Sequence, residues 1–349
     1  MIDSLYKLVQ PMLFRLDAET AHRTVLAMLS AWPLGEPPAS PPVLNTRVFD
    51  IDFSNPVGLA AGMDKDAIAA PAWQSLGFGF AELGTITPRP QPGNSRPRVW
   101  RLAENRALIN RLGFPSEGME TVARRIEKFL AKEPKLRIGI NIGPNKDTPA
   151  DKVADDYVAL AGKLGALADF VVINLSSPNT PGLRAFQSPE RLREIFGALD
   201  DAHAPDTFYL IKLSPDIAAE ELGPICETIV KLEFDGIVAT NTTLSRTEVG
   251  ISTNYEGGLS GAPLRDRSRE TIRAIRRHVG AKIPIIGVGG ISSADDAYGH
   301  IRAGASLVEL YTGLIYEGPG LIQSINAGLA ALLRRDGFRS ISEAVGVDA

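Results

Sequence analysis

Eight short apolar runs of strand character, separated for the most part by helix-like stretches, constrain this chain more than any other feature. The runs fall at residues 56–61, 79–83, 136–142, 169–174, 208–213, 235–239, 283–288 and 306–310. Helix-like stretches fall at 65–76, 116–132, 151–167, 189–202, 217–232, 266–279 and 293–303. Strands that are hydrophobic almost throughout belong to a parallel sheet covered on both faces. Eight is the number that closes such a sheet into a barrel whose interior is filled by side chains. The expected fold is therefore α/β, a (β/α)8 TIM barrel; a doubly wound open sheet is the alternative that the count disfavours. Residues 89–112, rich in Pro and Arg, interrupt the second unit and read as an excursion at the barrel top.

The residues ahead of the first run have a different character. Leu5, Leu8, Val9, Met12, Leu13 and Leu16 recur at spacings of three and four, an apolar stripe on a helix. Asp17 and Thr20 are placed to cap a second helix carrying Ala21, Val25, Met28, Leu29 and Trp32. Pro33, Pro37, Pro38, Pro41 and Pro42 then stiffen a linker. This divides the chain into a helical hairpin with its linker, residues 1–42, and a barrel, residues 43–349. With 37 basic and 41 acidic side chains the net charge is −4, which offers no basic footprint for nucleic acid. Cys226 is the sole cysteine, so no internal disulfide exists and a reducing compartment is expected; it reads as ordinary filler. His22, His203, His278 and His300 lack ligand spacing, so no metal site is expected. The N-terminus lacks a signal-peptide pattern, and no uncharged apolar run reaches the ~18 residues of a membrane span.

In such barrels the active site forms at the C-terminal ends of the strands. Here those ends read Ala61-Gly62-Met63-Asp64-Lys65, Gly84-Thr85, Asn141, Asn174 through Thr180, Lys212, Thr240 through Thr243, Gly287 through Gly290, and Tyr311-Thr312-Gly313. They offer amides, hydroxyls, small residues and lysines, with no carboxylate pair or histidine cluster apparent. That set suits a planar, polar, anionic ligand and neither paired-carboxylate glycosidase chemistry nor a metal. A lone Gly-Gly is more often a turn. Gly289-Gly290 in register with the Tyr-Thr of the eighth run instead reads as a phosphate site built by the last two loops.

Six motifs carry a resemblance: Ala60-Ala61-Gly62-Met63-Asp64-Lys65, Thr87-Pro88-Arg89-Pro90-Gln91-Pro92-Gly93-Asn94, Asn110-Arg111-Leu112-Gly113-Phe114, Asn174-Leu175-Ser176-Ser177-Pro178-Asn179-Thr180, Gly257-Gly258-Leu259-Ser260-Gly261 and Gly287-Val288-Gly289-Gly290-Ile291. Together they make the chain resemble the class 2 dihydroorotate dehydrogenases, the quinone-dependent flavoenzymes of pyrimidine synthesis. The resemblance implies one FMN per chain, held by Ala61, Gly62, Met63, Asp64, Lys65, Thr85, Asn141, Asn174, Lys212, Thr240, Gly261, Gly290, Tyr311 and Thr312. Lys212 would stand by the N1/O2 edge of the flavin, where charge collects on reduction. A lysine ending a strand more often reaches solvent, but Lys212 follows Leu210 and Ile211 in a core run.

The resemblance further implies (S)-dihydroorotate and orotate as ligands. Lys65, Asn110, Arg111, Leu112, Gly113, Phe114, Asn174, Asn179, Asn241 and Thr242 would form their site. Asparagine presents a donor beside an acceptor, as does a ureide ring edge. Ser177 is the implied base, with Thr180 and Phe114 as candidates to complete its surroundings; related class 1 enzymes carry cysteine there. His22, Arg101 and Tyr311 would line a channel for ubiquinone or menaquinone beneath the hairpin. The hairpin would rest on the cytoplasmic face of the cell membrane as a peripheral attachment. By its stripe alone it would merely pack on the barrel. A dihydrouridine synthase acting on RNA would want a basic surface and a cysteine near the flavin, and a non-catalytic scaffold would not need Ser177, Lys65 and Lys212 together.

Overall fold

A computed structural model describes residues 2–349 except 181, 201, 203–206 and 247–249, and for residues 2–5 the backbone only. His203 and the side chain of Leu5 thus lie outside the described residues. Helices α1 (Ile2–Arg15) and α2 (Ala18–Ser30) form the N-terminal hairpin, and the Asp17 carboxylate accepts the Thr20 N–H at 3.0 Å to start α2. An antiparallel pair, β1 (Thr46–Val48) and β2 (Ile51–Phe53), follows.

The barrel strands are β3 (Val57–Leu59), β4 (Phe80–Ile86), β7 (Arg137–Ile142), β8 (Phe170–Asn174), β9 (Phe208–Leu213), β10 (Gly236–Ala239), β12 (Ile285–Val288) and β13 (Leu307–Leu310). All eight run parallel and close in the order β10-β12-β13-β3-β4-β7-β8-β9. Each expected run holds a strand. The closed (β/α)8 barrel with its helical extension is thus the architecture, and the open sheet is excluded. Between the strands lie α3 (Ala70–Leu76), α4 (Met119–Leu130), α5 (Val153–Leu164), α6 (Pro189–Asp200), α7 (Ala219–Lys231), α8 (Arg265–Val279) and α9 (Ala294–Ala303); α10 (Thr312–Glu317) and α11 (Leu321–Asp336) complete the ring.

The stretch 65–76 forms less helix than its pattern suggests. The Asp64 carboxylate takes the N–H groups of Ile68 and Ala69, both at 2.8 Å, and the Trp73 indole N–H at 2.9 Å. This anchored loop delays the helix until Ala70. The excursion after β4 contributes β5 (Val99–Leu102) and β6 (Ala107–Asn110), which pair with β11 (Gly258–Gly261) in a three-stranded antiparallel sheet above the barrel. Loop 257–261 is therefore partly a strand.

The barrel interior is stratified, because inward side chains recur every second residue along a strand. The lower layers hold Phe80, Phe170, Val172, Leu210, Val238, Ile286 and Leu307, closed from below by Phe49 and Phe53 of the β1–β2 pair. Gly58 and Gly139 make room: a Cβ on either would come within 2.3 Å of the Phe80 or Phe170 ring. Two residues above Phe80 and Leu307 stand Glu82 and Glu309; above Leu210 stands Lys212, and above Val172 stands Asn174. The core thus changes from aromatic to ionic within one layer of the barrel.

Candidate active site

The polar layer forms one hydrogen-bonded network. Lys212 Nζ donates to both Glu82 oxygens, at 3.0 and 3.2 Å, with Glu309 Oε2 at 3.9 Å. Asn141 Nδ2 donates to Glu82 as well, and Thr85 Oγ1 donates to Asn141 Oδ1 at 2.5 Å. Asn174 Nδ2 reaches Thr85 Oγ1 and Asn141 Oδ1, both at 3.1 Å. Asn241 Nδ2 donates to Ser176 Oγ at 2.9 Å and, at 3.4 Å, to Asn174 Oδ1. Glu82, Asn141, Asn174 and Lys212 are all buried. The carboxylates Glu82 and Glu309 correct the expectation of strand ends without a carboxylate pair. They sit one step inside those ends, and the inward i, i+2 spacing from Phe80 and Leu307 was the signal for them.

Above this layer opens a cavity at the C-terminal ends of the strands. Of the residues expected to hold cofactor, Ala61, Gly62, Lys65, Thr85, Asn174, Lys212, Thr240, Gly261, Gly290, Tyr311 and Thr312 line it. Asn110, Leu112, Gly113, Phe114, Asn179, Asn241, Thr242 and Ser177 line the same space. Four expected residues lie elsewhere. Asn141 is under the floor, bonded to Glu82 and Thr85. Asp64 is the loop anchor described above, and Met63 faces the cavity beneath the hairpin. Arg111 projects outward, its Cζ 5.6 Å from the Trp100 ring centre and its Nη1 3.7 Å from Glu256 Oε2. Alternation along the chain turns Arg111 away where its neighbours Asn110 and Leu112 turn in.

Ser177 is buried, and its Oγ accepts the Asn179 N–H at 3.3 Å, leaving the hydroxyl proton directed elsewhere. Phe114 shares its cavity whereas Thr180 is outside the lining. Asn179 Nδ2 donates to Asn110 Oδ1 at 3.2 Å, which joins the excursion to the loop after β8. Arg184 was not foreseen. It donates to the backbone carbonyls of Ser176, at 3.1 Å, and Thr242, at 2.9 Å, and pairs with Asp216 at 2.7 Å. It thereby fixes the loops after β8 and β10 against each other.

Glycines shape the wall at the last two strands. Gly290 has φ +71°, and a Cβ there would meet the Arg265 backbone at 2.5 Å. A Cβ on Gly313 would meet the Ile291 carbonyl at 2.2 Å. The loops after β12 and β13 therefore touch backbone to backbone, presenting peptide groups rather than side chains to the cavity.

A second cavity of about 710 Å³ lies between the hairpin and the barrel. Its wall is largely apolar, with Leu13, Phe14, Val25, Leu26, Met63, Leu314 and Ile315, and it includes His22, Arg101 and Tyr311. Lys65, Leu112 and Tyr311 line both cavities and so form the partition between them. Burial pushes Lys65 down to about 8, with Arg98 adding to the fall and Asp66, Glu19 and Asp64 opposing it. What exposure Lys65 keeps is toward the two cavities; its Nζ donates to the Gly62 carbonyl at 2.5 Å. Burial also lowers His22 to about 3, reinforced by Lys65, so the imidazole is neutral. Tyr311 is raised to about 12 by burial and stays a phenol.

The hairpin is pinned by directed bonds. Tyr6 and Gln10 donate to the carbonyls of Ile315 and Tyr316. Arg101 donates to the carbonyls of Leu13, Phe14 and Leu16, where α1 ends. Buried Glu19 of α2 accepts from Arg98 at 2.7 and 2.9 Å and from Arg96 at 2.9 Å. The apolar stripe consequently splits. Leu13 faces the cavity, while Leu8, Met12 and Leu16 are exposed together with Met28 of α2 and with Trp32, which lies beyond the end of α2 at Ser30 rather than on the helix. Among the described residues, no helix is long and apolar enough to cross a membrane.

Known proteins share both sequence and fold with this chain. A family model described as dihydroorotate dehydrogenase matches residues 43–333. A protein of Thermobifida fusca named dihydroorotate dehydrogenase (quinone) is 46% identical, with 99% of this chain and 97% of that protein covered. A protein of the same name from Parvibaculum lavamentivorans is also 46% identical, with 99% of each covered. Among solved structures, an Eimeria tenella DHODH in complex with ferulenol superimposes with a TM-score of 0.90 at 37% identity, covering 95% of both chains.

Proposed function

Since the chain belongs to the dihydroorotate dehydrogenase family, as a quinone-type oxidoreductase, we propose that its barrel-top cavity holds one FMN and oxidises (S)-dihydroorotate to orotate, a step of pyrimidine (UMP) biosynthesis. Electrons leave through the second cavity to ubiquinone or menaquinone. The observation that carries this reading is the thin partition of Lys65, Leu112 and Tyr311 between a polar cavity and an apolar one. Two substrates of opposite polarity can then approach one group from two sides.

The residues present fit FMN. The glycine-built wall after β12 and β13 exposes backbone as a phosphate requires. Thr85, Asn174 and Lys212 supply donors and acceptors at the opposite side. Bound there, FMN supplies a hydride acceptor for one half-reaction and an electron donor for the other. The Lys212 ammonium, held by Glu82, would supply positive charge to the bound group as it gains electrons.

Lys65 and Asn110 bind the substrate carboxylate, and Asn174, Asn179, Asn241 and Thr242 meet the ring amides; that all six line the one cavity supports this assignment. Ser177 Oγ takes the proton from C5 and releases its own hydroxyl proton toward solvent, as a hydride departs from C6 to the acceptor that FMN would supply, which creates the ring double bond. The loop holding Ser177 is steadied by Arg184 through Ser176, so the hydroxyl keeps its aim. The exposed apolar side chains of Leu8, Met12, Leu16, Met28 and Trp32 suit peripheral attachment at the cytoplasmic side of the cell membrane. The test is spectral. Purified protein should carry a flavin, lose its colour with dihydroorotate under anaerobic conditions and regain it with a quinone. Protein that binds no flavin, or whose flavin ignores dihydroorotate, overturns the reading.

A further inference from the structure

Glu309 is a buried acid that no hydrogen bond among the described residues stabilises as an anion. Both of its carboxyl oxygens are buried and lack a hydrogen-bond partner among the described residues. Lys212 Nζ stands 3.9 Å away but spends its bonds on Glu82 at 3.0 and 3.2 Å. The flanking strands bring no other titratable group: β3 offers Val57, Gly58 and Leu59, and β12 offers Ile285, Ile286, Gly287 and Val288. The cavity above adds only Lys65 and Tyr311. As a carboxylate, Glu309 would be a second anion against one ammonium, with no donor facing it. As an acid it gains a donor, and Glu82 faces it as the acceptor. Burial pushes the Glu309 carboxyl well above the ordinary carboxylate range, Glu82 adds to the rise and Lys212 opposes it.

We propose that Glu309 is a positioning residue for Lys212: a neutral carboxylic acid that donates its proton to Glu82 and leaves the polar layer with one anion for one cation. Were both carboxylates charged, the layer would be net negative beneath a cavity that must accept anions. With Glu309 neutral, Glu82 is held from three sides, by Lys212, Asn141 and Glu309. The ammonium then cannot swing toward a second carboxylate and keeps its place under the ligand. The role rests on the proposed function of the cavity, but the protonation state can be read without it.

Infrared spectra of the purified holoprotein, in H2O and D2O between pH 6 and 9, test the assignment. A protonated-carboxyl band that shifts in D2O is expected throughout that range, and it should be lost in Glu309→Gln. In Glu82→Gln the anion beside Lys212 is gone and Glu309 is left as its counter-ion, so Glu309 should ionise and the band should again vanish. A Glu309 that already stands as an anion would show no such band in the wild type and no loss in Glu82→Gln. If Glu309→Gln does not fold, carbon-13 glutamate labelling of the wild-type protein, with Glu82→Gln alongside, assigns the band instead. Absence of the band at pH 7, or its persistence in Glu309→Gln or in Glu82→Gln, overturns the proposal. Flavin content and the spectral change with orotate in the same samples report on the cavity separately. A protein that binds both but lacks the band refutes only the role of Glu309.

Discussion

At the scale of single residues, burial decides what each polar group can do. Ser177 is enclosed, and its described bond is the Asn179 N–H that it accepts. That N–H occupies one lone pair of the oxygen, so the second can take a proton arriving from the ligand. Ser177→Ala should retain flavin and bind orotate yet slow anaerobic flavin reduction by ~10²–10⁴-fold, the usual contribution of a positioned base. Stopped-flow absorbance checks this, and a variant reducing at the wild-type rate moves the base elsewhere. Lys65 has the opposite problem, a charge that burial makes hard to keep. Lowered to about 8, it holds its proton at pH 7 and sheds it as the pH rises past that value. Affinity for an anionic ring should therefore be level from pH 6 to 7 and weaken above pH 8, approaching tenfold per unit. Lys65→Met should bind orotate weakly with most of that slope removed. A slope that survives intact in Lys65→Met assigns the titration to another group.

At the scale of elements, the hairpin is an attached wall rather than a lid on a loose hinge. The linker is tied to the barrel independently of the helices, by Gln74 to the Gly35 carbonyl at 2.8 Å, Lys135 to Glu36 at 2.6 Å and Asn55 to Ser40 at 3.1 Å. Removing residues 1–32 therefore takes away α1 and α2 and leaves those bonds in place. The barrel-top cavity should survive, so flavin bleaching by dihydroorotate should proceed within a few-fold of the full-length rate. The apolar wall of Leu13, Phe14, Val25 and Leu26 would be gone. Reoxidation by a long-tail quinone, whose tail gains ~25 cal/mol per Å² of burial, should fall at least tenfold, and vesicle binding should fall with it. A small soluble acceptor should work as before. Equal quinone rates in a folded truncated protein would show that the hairpin merely packs on the barrel.

At the scale of the whole molecule, an uncomfortable acid inside the barrel sets a pH dependence of stability. The folded-state value of Glu309 lies well above its ordinary 4.5. A group raised in this way helps folding fully only below the unfolded value, and that contribution is lost as pH rises toward the folded value. Glu309→Gln, which stays neutral, should therefore gain on the wild type from about pH 5 upward. While Glu309 stays neutral in the fold, the gain should grow by about 1.4 kcal/mol for each pH unit above the unfolded value. Melting temperatures of both proteins between pH 4 and 9 check this. A difference that shrinks with pH would mean that Glu309 is stabilised as an anion.

Much of this architecture was legible along the chain because its causes are local. Continuous apolar runs mark strands covered on both faces, and all eight became the barrel. The Asp17 cap and the i, i+3, i+4 stripe marked the hairpin helices for the same reason. Most of the strand-end glycines and asparagines likewise converge on one cavity, since parallel strands deliver their C-terminal ends to one face. Closure of the barrel decided the rest. It set Lys212 against Glu82, 130 residues distant, and brought Glu309 beside them. It turned Asp64 into a loop anchor, sent Arg111 outward while Asn110 and Leu112 turned in, and divided the hairpin stripe between a cavity and the surface. Those outcomes depend on which strand neighbours which and on how far each is rotated about its axis. Hydrophobic periodicity states which face of a strand or helix is buried, but the ionic partner waiting there is known only once the ring has closed.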